Sequence, residues 1–380
     1  MQKLAIIGAS YLQRPLVEKA KEMNLYTICF AWREGSVCAS LCDKYYEVSI
    51  IEKDEILRIC QIEHIDGICT IGSDVAAPTV AYVAERMGLI GNSYQSAIRA
   101  NDKFLMRNWL VKAGVMCPQY KMVTSIDQIA CLKMRFPIIV KPVDRSGSLG
   151  VSKVNTKEGV LSAVEKALSL SFKHEAMIEE YIEGREISVE FISFQGKHYP
   201  LQITDKVTTG SPYFVEIEHH QPSIISPEMY DEVYDITRKS LTGLCIMNGA
   251  SHSEYKITAD GEIYVIEIAG RMGGDFIGSH LVQLSTGYDY VKGVINVCMD
   301  RFEEPIIVEN GCAGVFYICK DSQDKVEVFE NEADCFPKDY QIVQKEMLDD
   351  NLRNVECSSD RSGYLIYKST KKRNERNCLL

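Results

Sequence analysis

No stretch of the 380-residue sequence approaches the 18 or more consecutive apolar residues of a membrane span, so a bilayer is not an expected partner. The N-terminal MQKLAIIGAS lacks the cleavage region of a secretory signal and reads instead as a first strand. Positive charge is in short supply. Forty-two Lys and Arg stand against 53 Asp and Glu, a net charge of -11, which removes the attraction that draws proteins to nucleic acid. Solenoid-length repeats are missing, and 46% hydrophobic with 25% charged residues is the make-up of an ordinary globular chain. CxxC pairs are missing too, although there are 14 cysteines, and Cys29, Cys60, Cys69, Cys245, Cys298 and Cys319 lie inside apolar segments. Reduced, mostly buried thiols in a cytoplasmic protein are therefore expected in place of a disulfide framework. Cys38 and Cys42 are close in sequence but have no neighbouring histidine, and make a poor metal site.

What is present is an alternation of short apolar runs with helix-period segments. Leu4 to Gly8, Tyr26 to Phe30, Tyr45 to Val48 and Ile65 to Thr70 read as strands, with helical stretches at Leu16 to Met23 and Asp54 to Cys60 between them. That order predicts a parallel sheet flanked by helices over residues 1–95. Gly8-Ala9-Ser10 after the first strand is an incomplete GxGxxG and gives little support to a nicotinamide enzyme. Ala97 to Val111 reads as one helix, and a domain boundary is expected near residue 96. Beyond it the pattern becomes mixed helical and antiparallel. The strand Pro137 to Pro142, the loop Asp144 to Gly150, the helix Lys157 to Leu168 and the strand Met177 to Ile182 come first. Glu186 to Phe194 then alternates at period two into a turn at Gln195-Gly196. Pro227 to Leu244 is an amphipathic helix, and Asp260-Gly261 signals a hairpin between Ser251–Ile257 and Glu262–Ile268. Short strands at Gly314–Cys319 and Tyr364–Tyr367 predict a small C-terminal lobe over 305–380, ending in a frayed basic tail. Cys378 is third from the end and makes no prenylation box.

Charged residues placed on apolar strands mark the chemistry. Lys141 closes the strand Ile138-Ile-Val140 and precedes a loop containing Ser146, Gly147, Ser148 and Gly150. Glycines let backbone N–H groups approach phosphate oxygens, serines add donors and a lysine adds charge. A surface hairpin ending in lysine would show the same residues, and the spacing is not that of a Walker loop. Glu254 and Glu267 each lie six residues from the Asp260-Gly261 turn and should face each other across the hairpin. Facing carboxylates repel unless a divalent cation lies between them, and magnesium carried by a nucleotide suits hard oxygen ligands. Two solvent-facing glutamates are the plainer alternative. Arg271 follows in Gly270-Arg-Met-Gly-Gly274, where glycines again permit close backbone approach. His252, two residues before Glu254, shares its strand face and could equally contact a substrate or be a packed core histidine.

Taken in order, these segments resemble those of ATP-grasp enzymes over roughly residues 1 to 300, most closely the branch of amino-acid ligases and single-unit proteins like carbamoyl phosphate synthetase. Asn101-Asp-Lys103 resembles the entry to the grasp domain and Ile139-Val-Lys-Pro142 its second nucleotide lysine. Ser146-Gly-Ser-Leu-Gly150 resembles the mobile phosphate loop, and Ile178-Glu-Glu-Tyr-Ile-Glu-Gly-Arg-Glu186 the hinge that holds adenine. The resemblance implies an α/β chain, α+β in its middle, with a parallel-sheet domain at 1–95, an ATP-grasp domain at 96–304 whose lid spans about 118–182, and the C-terminal lobe. It also implies that Lys103 and Lys141 hold ATP phosphates with the loop, that Glu179, Tyr181 and Ile182 line the adenine site, with backbone groups of Glu179 and Ile182 on its edge, and that Glu186 binds ribose. Glu254 and Glu267 become the ligands of magnesium, with manganese an admissible substitute, and Arg271 the arginine that steadies an acyl phosphate. Lys206, His219 and His220 fall in the region where amino-acid ligases line the acceptor pocket; exposed loop residues are the alternative. One departure is Ala269, where many relatives carry an asparagine ligand to magnesium. The implied activity is an ATP-dependent carboxylate–amine ligase that takes a small carboxylic acid, an amino acid first among them, and an amine, with a homodimer as the assembly to test. Bicarbonate activation and non-catalytic ATP binding are the alternatives.

Overall fold

The computed structural model describes residues 1–131 and 133–371. The tail from 372, with Cys378, lies outside them. Four strands, β1 (Lys3–Ile7), β2 (Tyr26–Ala31), β3 (Lys44–Glu47) and β4 (Gly67–Cys69), form a parallel sheet in the order β3-β2-β1-β4. Helices α1 (Arg14–Glu22), α2 (Lys53–Glu63) and α3 (Ala77–Met87) connect and cover it. Buried Ala5, Ile7, Ile28, Phe30, Ile56 and Ile68 share one core cluster, as expected for parallel strands covered by helices.

The helix expected at Ala97–Val111 is two helices, α4 (Tyr94–Asn101) and α5 (Lys103–Lys112). Asp102 separates them. Its backbone is extended (φ -93°, ψ 111°), and its carboxylate accepts hydrogen bonds from the Phe104 and Leu105 N–H groups at 3.0 and 2.9 Å. An aspartate that caps the second helix thus ends the first. The break re-aims Lys103.

Residues 120–180 supply a second, antiparallel sheet, β5 (Tyr120–Val123), β6 (Ile138–Pro142), β7 (Ser152–Val154) and β8 (Ala176–Glu180), in the order β5-β8-β6-β7 and backed by α6 (Val160–Leu170). The third sheet has eight strands: β9 (Arg185–Phe194), β10 (Lys197–Thr208), β11 (Glu216–Gln221), β12 (Gly249–Ile257), β13 (Ile263–Ala269), β14 (Cys312–Ile318), β15 (Tyr340–Met347) and β16 (Gly363–Ser369). Their order is β13-β12-β9-β10-β11-β14-β16-β15, and helix α7 (Pro227–Leu244) packs on it. Gln195 and Gly196 both take positive φ (50° and 80°), the geometry that suits a two-residue hairpin between β9 and β10.

The segment expected as a small C-terminal lobe adds three strands to this sheet through the β11–β14 pair and builds no sheet of its own. It keeps a local core around Phe316, Phe329 and Tyr367. Among the described residues, twelve cysteines are free thiols, and no helix is long and apolar enough to cross a membrane.

Candidate active site

A cleft of about 1090 Å³ opens between the β5-β8-β6-β7 sheet and the eight-stranded sheet. At one end Ile139, Ile182, Tyr181, Phe214 and Ile266 give it an apolar lining. The Tyr181 ring lies 6.2 Å from that of Phe214, with the Lys153 ammonium 3.7 Å from its centroid. The loop Arg145-Ser-Gly-Ser-Leu149 forms one wall, and Gly147 and Ser148 both take positive φ (65° and 59°), which turns the backbone sharply. At the other end Lys103, Lys141, Lys206 and Arg271 converge with Glu254 and Glu267.

Each buried cation arrives on a rigid element and is met by a carboxylate. Lys103, the first residue of α5, donates to Glu267 Oε1 at 2.8 Å and to the Arg145 carbonyl at 2.7 Å. Burial opposes its charge, but Glu267, together with Asp74 and Glu254, outweighs that and raises its pKa. Lys141, at the end of β6, pairs with Glu179 on β8. Burial there wins, pushing the lysine pKa down with help from the Arg107 and Lys103 charges. Lys206 on β10 donates to Glu254 Oε1 at 2.7 Å and lies 3.3 Å from Glu216; those carboxylates overcome its burial and raise its pKa.

Glu254 and Glu267 are direct partners in the β12–β13 ladder. The route to that pairing differs from the simple hairpin expected, because the register shifts just beyond it: Tyr255 pairs with Val265, leaving Ile266 as an extra residue. Both carboxylates remain about a quarter exposed to the cleft (26% and 24%). Two facing carboxylates with oxygen donors toward solvent fit a hard divalent cation. No group of three or more metal-ligating side chains occurs among the described residues, so phosphate and water oxygens would complete its shell. Ala269 pairs with His252 and offers no ligand.

His252 bridges two carboxylates. Its Nδ1 contacts Glu190, a fully buried residue on β9, and its Nε2 lies 3.2 Å from Glu254 Oε1. Burial disfavours the imidazolium, but Glu190 and Glu254 prevail and hold its pKa up at about 9. The other Glu190 oxygen accepts from the Gly273 N–H at 3.0 Å, tying down the loop that carries Arg271. A Cβ at Gly273 would lie 2.6 Å from the Glu190 carboxylate, so this close approach requires glycine.

Arg271 forms a bidentate pair with Asp74 of the first domain at 2.7 Å for both bonds. Beside it Gly72 N–H donates to the Met272 carbonyl at 3.2 Å. Burial opposes ionisation of both groups; Asp74 nevertheless holds the guanidinium pKa up, and Arg271 holds the carboxyl down. The pair also borders a second, mainly apolar cavity of about 770 Å³, so the guanidinium stands between two chambers.

Of the residues singled out from sequence, Lys103, Lys141, Ser146, Gly147, Ser148, Glu179, Tyr181, Ile182, Glu186, Lys206, His252, Glu254, Glu267 and Arg271 line this one cleft. Glu186 lies 3.0 Å from Lys256, which also lines it. Gly150, His219 and His220 do not line it. Gly150 packs where a Cβ would meet Pro142 and Leu170 at 2.9 Å, closing the loop from behind. His220 bonds Glu218 and the Tyr367 hydroxyl, both at 2.8 Å, and so ties β11 to β16. His219 is buried with its Nε2 3.7 Å from Asp275, which Arg361 grips at 2.8 and 2.9 Å. Burial pushes the His219 pKa down. Sequence reasoning missed Asp74, Arg107, Glu190, Glu216 and Lys256. Lys256 and Glu190 could have been found as charges on alternating strands; Asp74 and Arg107 carried no local signal.

The ATP-grasp domain family model matches residues 134–279. Alanine–anticapsin ligase of Bacillus subtilis (strain 168) is 29% identical over 245 residues, 58% of this chain and 51% of that protein. The chain thus spans about half the length of the curated relatives it matches. Among solved structures, L-amino acid ligase from Bacillus licheniformis superposes with a TM-score of 0.82 at 21% identity, covering 100% of this chain and 95% of that one. N5-carboxyaminoimidazole synthetase from Staphylococcus aureus, complexed with ADP, gives 0.77 at 16% identity, over 97% and 94% of the two chains. The chain has the ATP-grasp fold, with a parallel-sheet domain ahead of the grasp domain.

Proposed function

We propose that this chain is an ADP-forming carboxylate–amine ligase that binds ATP in the cleft and activates a small carboxylic acid, an amino acid first among the candidates. The carrying observation is the facing pair Glu254 and Glu267, each neutralised by a cleft lysine and set beside the Asp74-held Arg271. The matched amino-acid ligases support the same reading.

In this reading adenine lies in the apolar end between Ile139, Ile182 and Tyr181, Glu186 binds ribose hydroxyls, and the phosphates run along Lys141, Lys103 and the Ser146–Ser148 loop. Glu254 and Glu267 would hold magnesium, with manganese a substitute; the bound ion would offset charge on the transferring phosphoryl group. The acid's carboxylate oxygen attacks the γ-phosphorus, the bond to the β-phosphate oxygen breaks, and ADP leaves an acyl phosphate. Arg271, already oriented by Asp74, offsets the charge of that intermediate without reorganising. The amine nitrogen then bonds to the acyl carbon as phosphate departs, and the nitrogen's proton passes to phosphate or water. The Arg145–Leu149 loop, closing over the cleft, would keep water from the acyl phosphate.

The test is magnesium-dependent ADP release across amino acids, other small carboxylic acids and bicarbonate, supplied singly and with amines. A signal that needs one organic acid and one amine establishes the ligase and names its substrates. Turnover with bicarbonate alone would move the chain to the bicarbonate-activating group, and ATP binding without turnover on any acid would leave a binding protein.

A further inference from the structure

One buried guanidinium reaches both halves of this site. Arg107 lies four residues after Lys103, on the same face of α5, and is fully buried. Its Nε donates to Glu179 Oε1 at 2.7 Å, and the other oxygen of Glu179 holds Lys141. Its Nη2 donates at 2.6 Å to the carbonyl of Ile266, the extra residue in β13. Its Nη1 has no hydrogen-bond partner among the described residues.

A buried ion pair is a poor route to stability, since a well-packed apolar side chain of like volume often serves as well or better. This one costs the fold a desolvated guanidinium with an unmatched Nη1. What it provides is position. Ile266 is where the β12–β13 register shifts, and without that shift Glu267 would not stand opposite Glu254. Strand β13 is an edge strand, so its outward carbonyl at this point has no neighbouring strand to bond. Arg107 supplies the missing donor.

We infer that Arg107 is a positioning residue that couples the nucleotide lysine to the metal carboxylate: through Glu179 it sets Lys141, and through the Ile266 carbonyl it sets Glu267. This rests on the proposed nucleotide site. It adds that the two halves share one anchor and fail together when the anchor is removed.

The test measures ATP affinity by calorimetry with EDTA present, which reads the Lys141 arm, and the magnesium concentration that half-saturates its effect on ATP affinity, which reads the Glu267 arm. Neither readout needs the acid substrate. Arg107→Met, with its fold checked by circular dichroism, is expected to lose roughly tenfold in ATP affinity without metal and to need several-fold more magnesium. Glu179→Gln should move the first readout and spare the second. If Arg107→Met does not fold, Arg107→Lys serves, because one ammonium cannot span both partners and should lose one arm at least. A folded Arg107 variant that is less heat-stable but unchanged in both readouts overturns the inference. Failure of the unaltered chain to bind ATP would instead overturn the nucleotide site and the coupling with it.

Discussion

The parallel sheet of the first domain and the eight-stranded antiparallel sheet bury different things. The four strands of the first sheet bury no charged side chain, and Glu63 on α2 is held at the sheet's margin by Lys3 and Lys44. The strands of the larger sheet bury Glu190, Asp205, Lys206, Glu218, His219, His220 and His252. Apolar burial at roughly 25 cal/mol per Å² explains the first sheet by stability alone. Buried ionisable groups generally cost stability; in the larger sheet they are paired, Lys206 and His252 with Glu254 at the cleft and Glu218 with His220 where β11 is tied to β16. Asp74 is where the two regimes touch, a charge from the first domain committed to an arginine of the second.

Four substitutions test that contrast, in order of falling effect. Glu267→Ala should leave the fold intact and reduce ADP release by at least about 100-fold; wild-type turnover in the folded variant refutes the metal role. Glu190→Leu should lower unfolding free energy by about 3–5 kcal/mol in urea titrations, since it strands the imidazolium of His252 beside Glu254 and frees the Gly273 N–H. Lys141→Ala should weaken ATP binding by about tenfold in calorimetry, the worth of a charge-assisted hydrogen bond. Ile28→Val, in the first sheet, should cost about 0.5–1.5 kcal/mol of stability and leave ATP affinity unchanged. A large loss of nucleotide affinity from Ile28→Val would erase the distinction.

Much of this was legible in sequence because the signals are local. The Gln195-Gly196 and Asp260-Gly261 turns announced hairpins, and Lys141 before a Ser/Gly loop marked residues that line the cleft. The order of motifs carried the fold. What stayed hidden depends on distance or on one residue's competition with its neighbours. Asp102 looked like one more helical residue because its capping bonds run to Phe104 and Leu105 only once the backbone has turned. The symmetric hairpin placed Glu254 opposite Glu267 correctly, but the turn and the extra Ile266 offset each other, and period two cannot show such a pair of shifts. Asp74 and Arg271 are 197 residues apart, and Arg107 and Ile266 are 159 apart. His220 read as a pocket residue because its segment does; its bond to Tyr367 appears only when β14 and β16 assemble beside β11.

The Asp74–Arg271 pair also sets a clock on synthesis. At about 5–20 residues per second, the interval between the emergence of these two residues is roughly 10–40 s. During that time the first four strands can pair with one another, while Asp74 faces water with its arginine not yet made and the sheet face that Val291, Val294, Ile295 and Val297 complete stays open. The nascent chain therefore holds a paired sheet with one face and one half-site unfinished. Slowing translation between them should prolong the exposure of both.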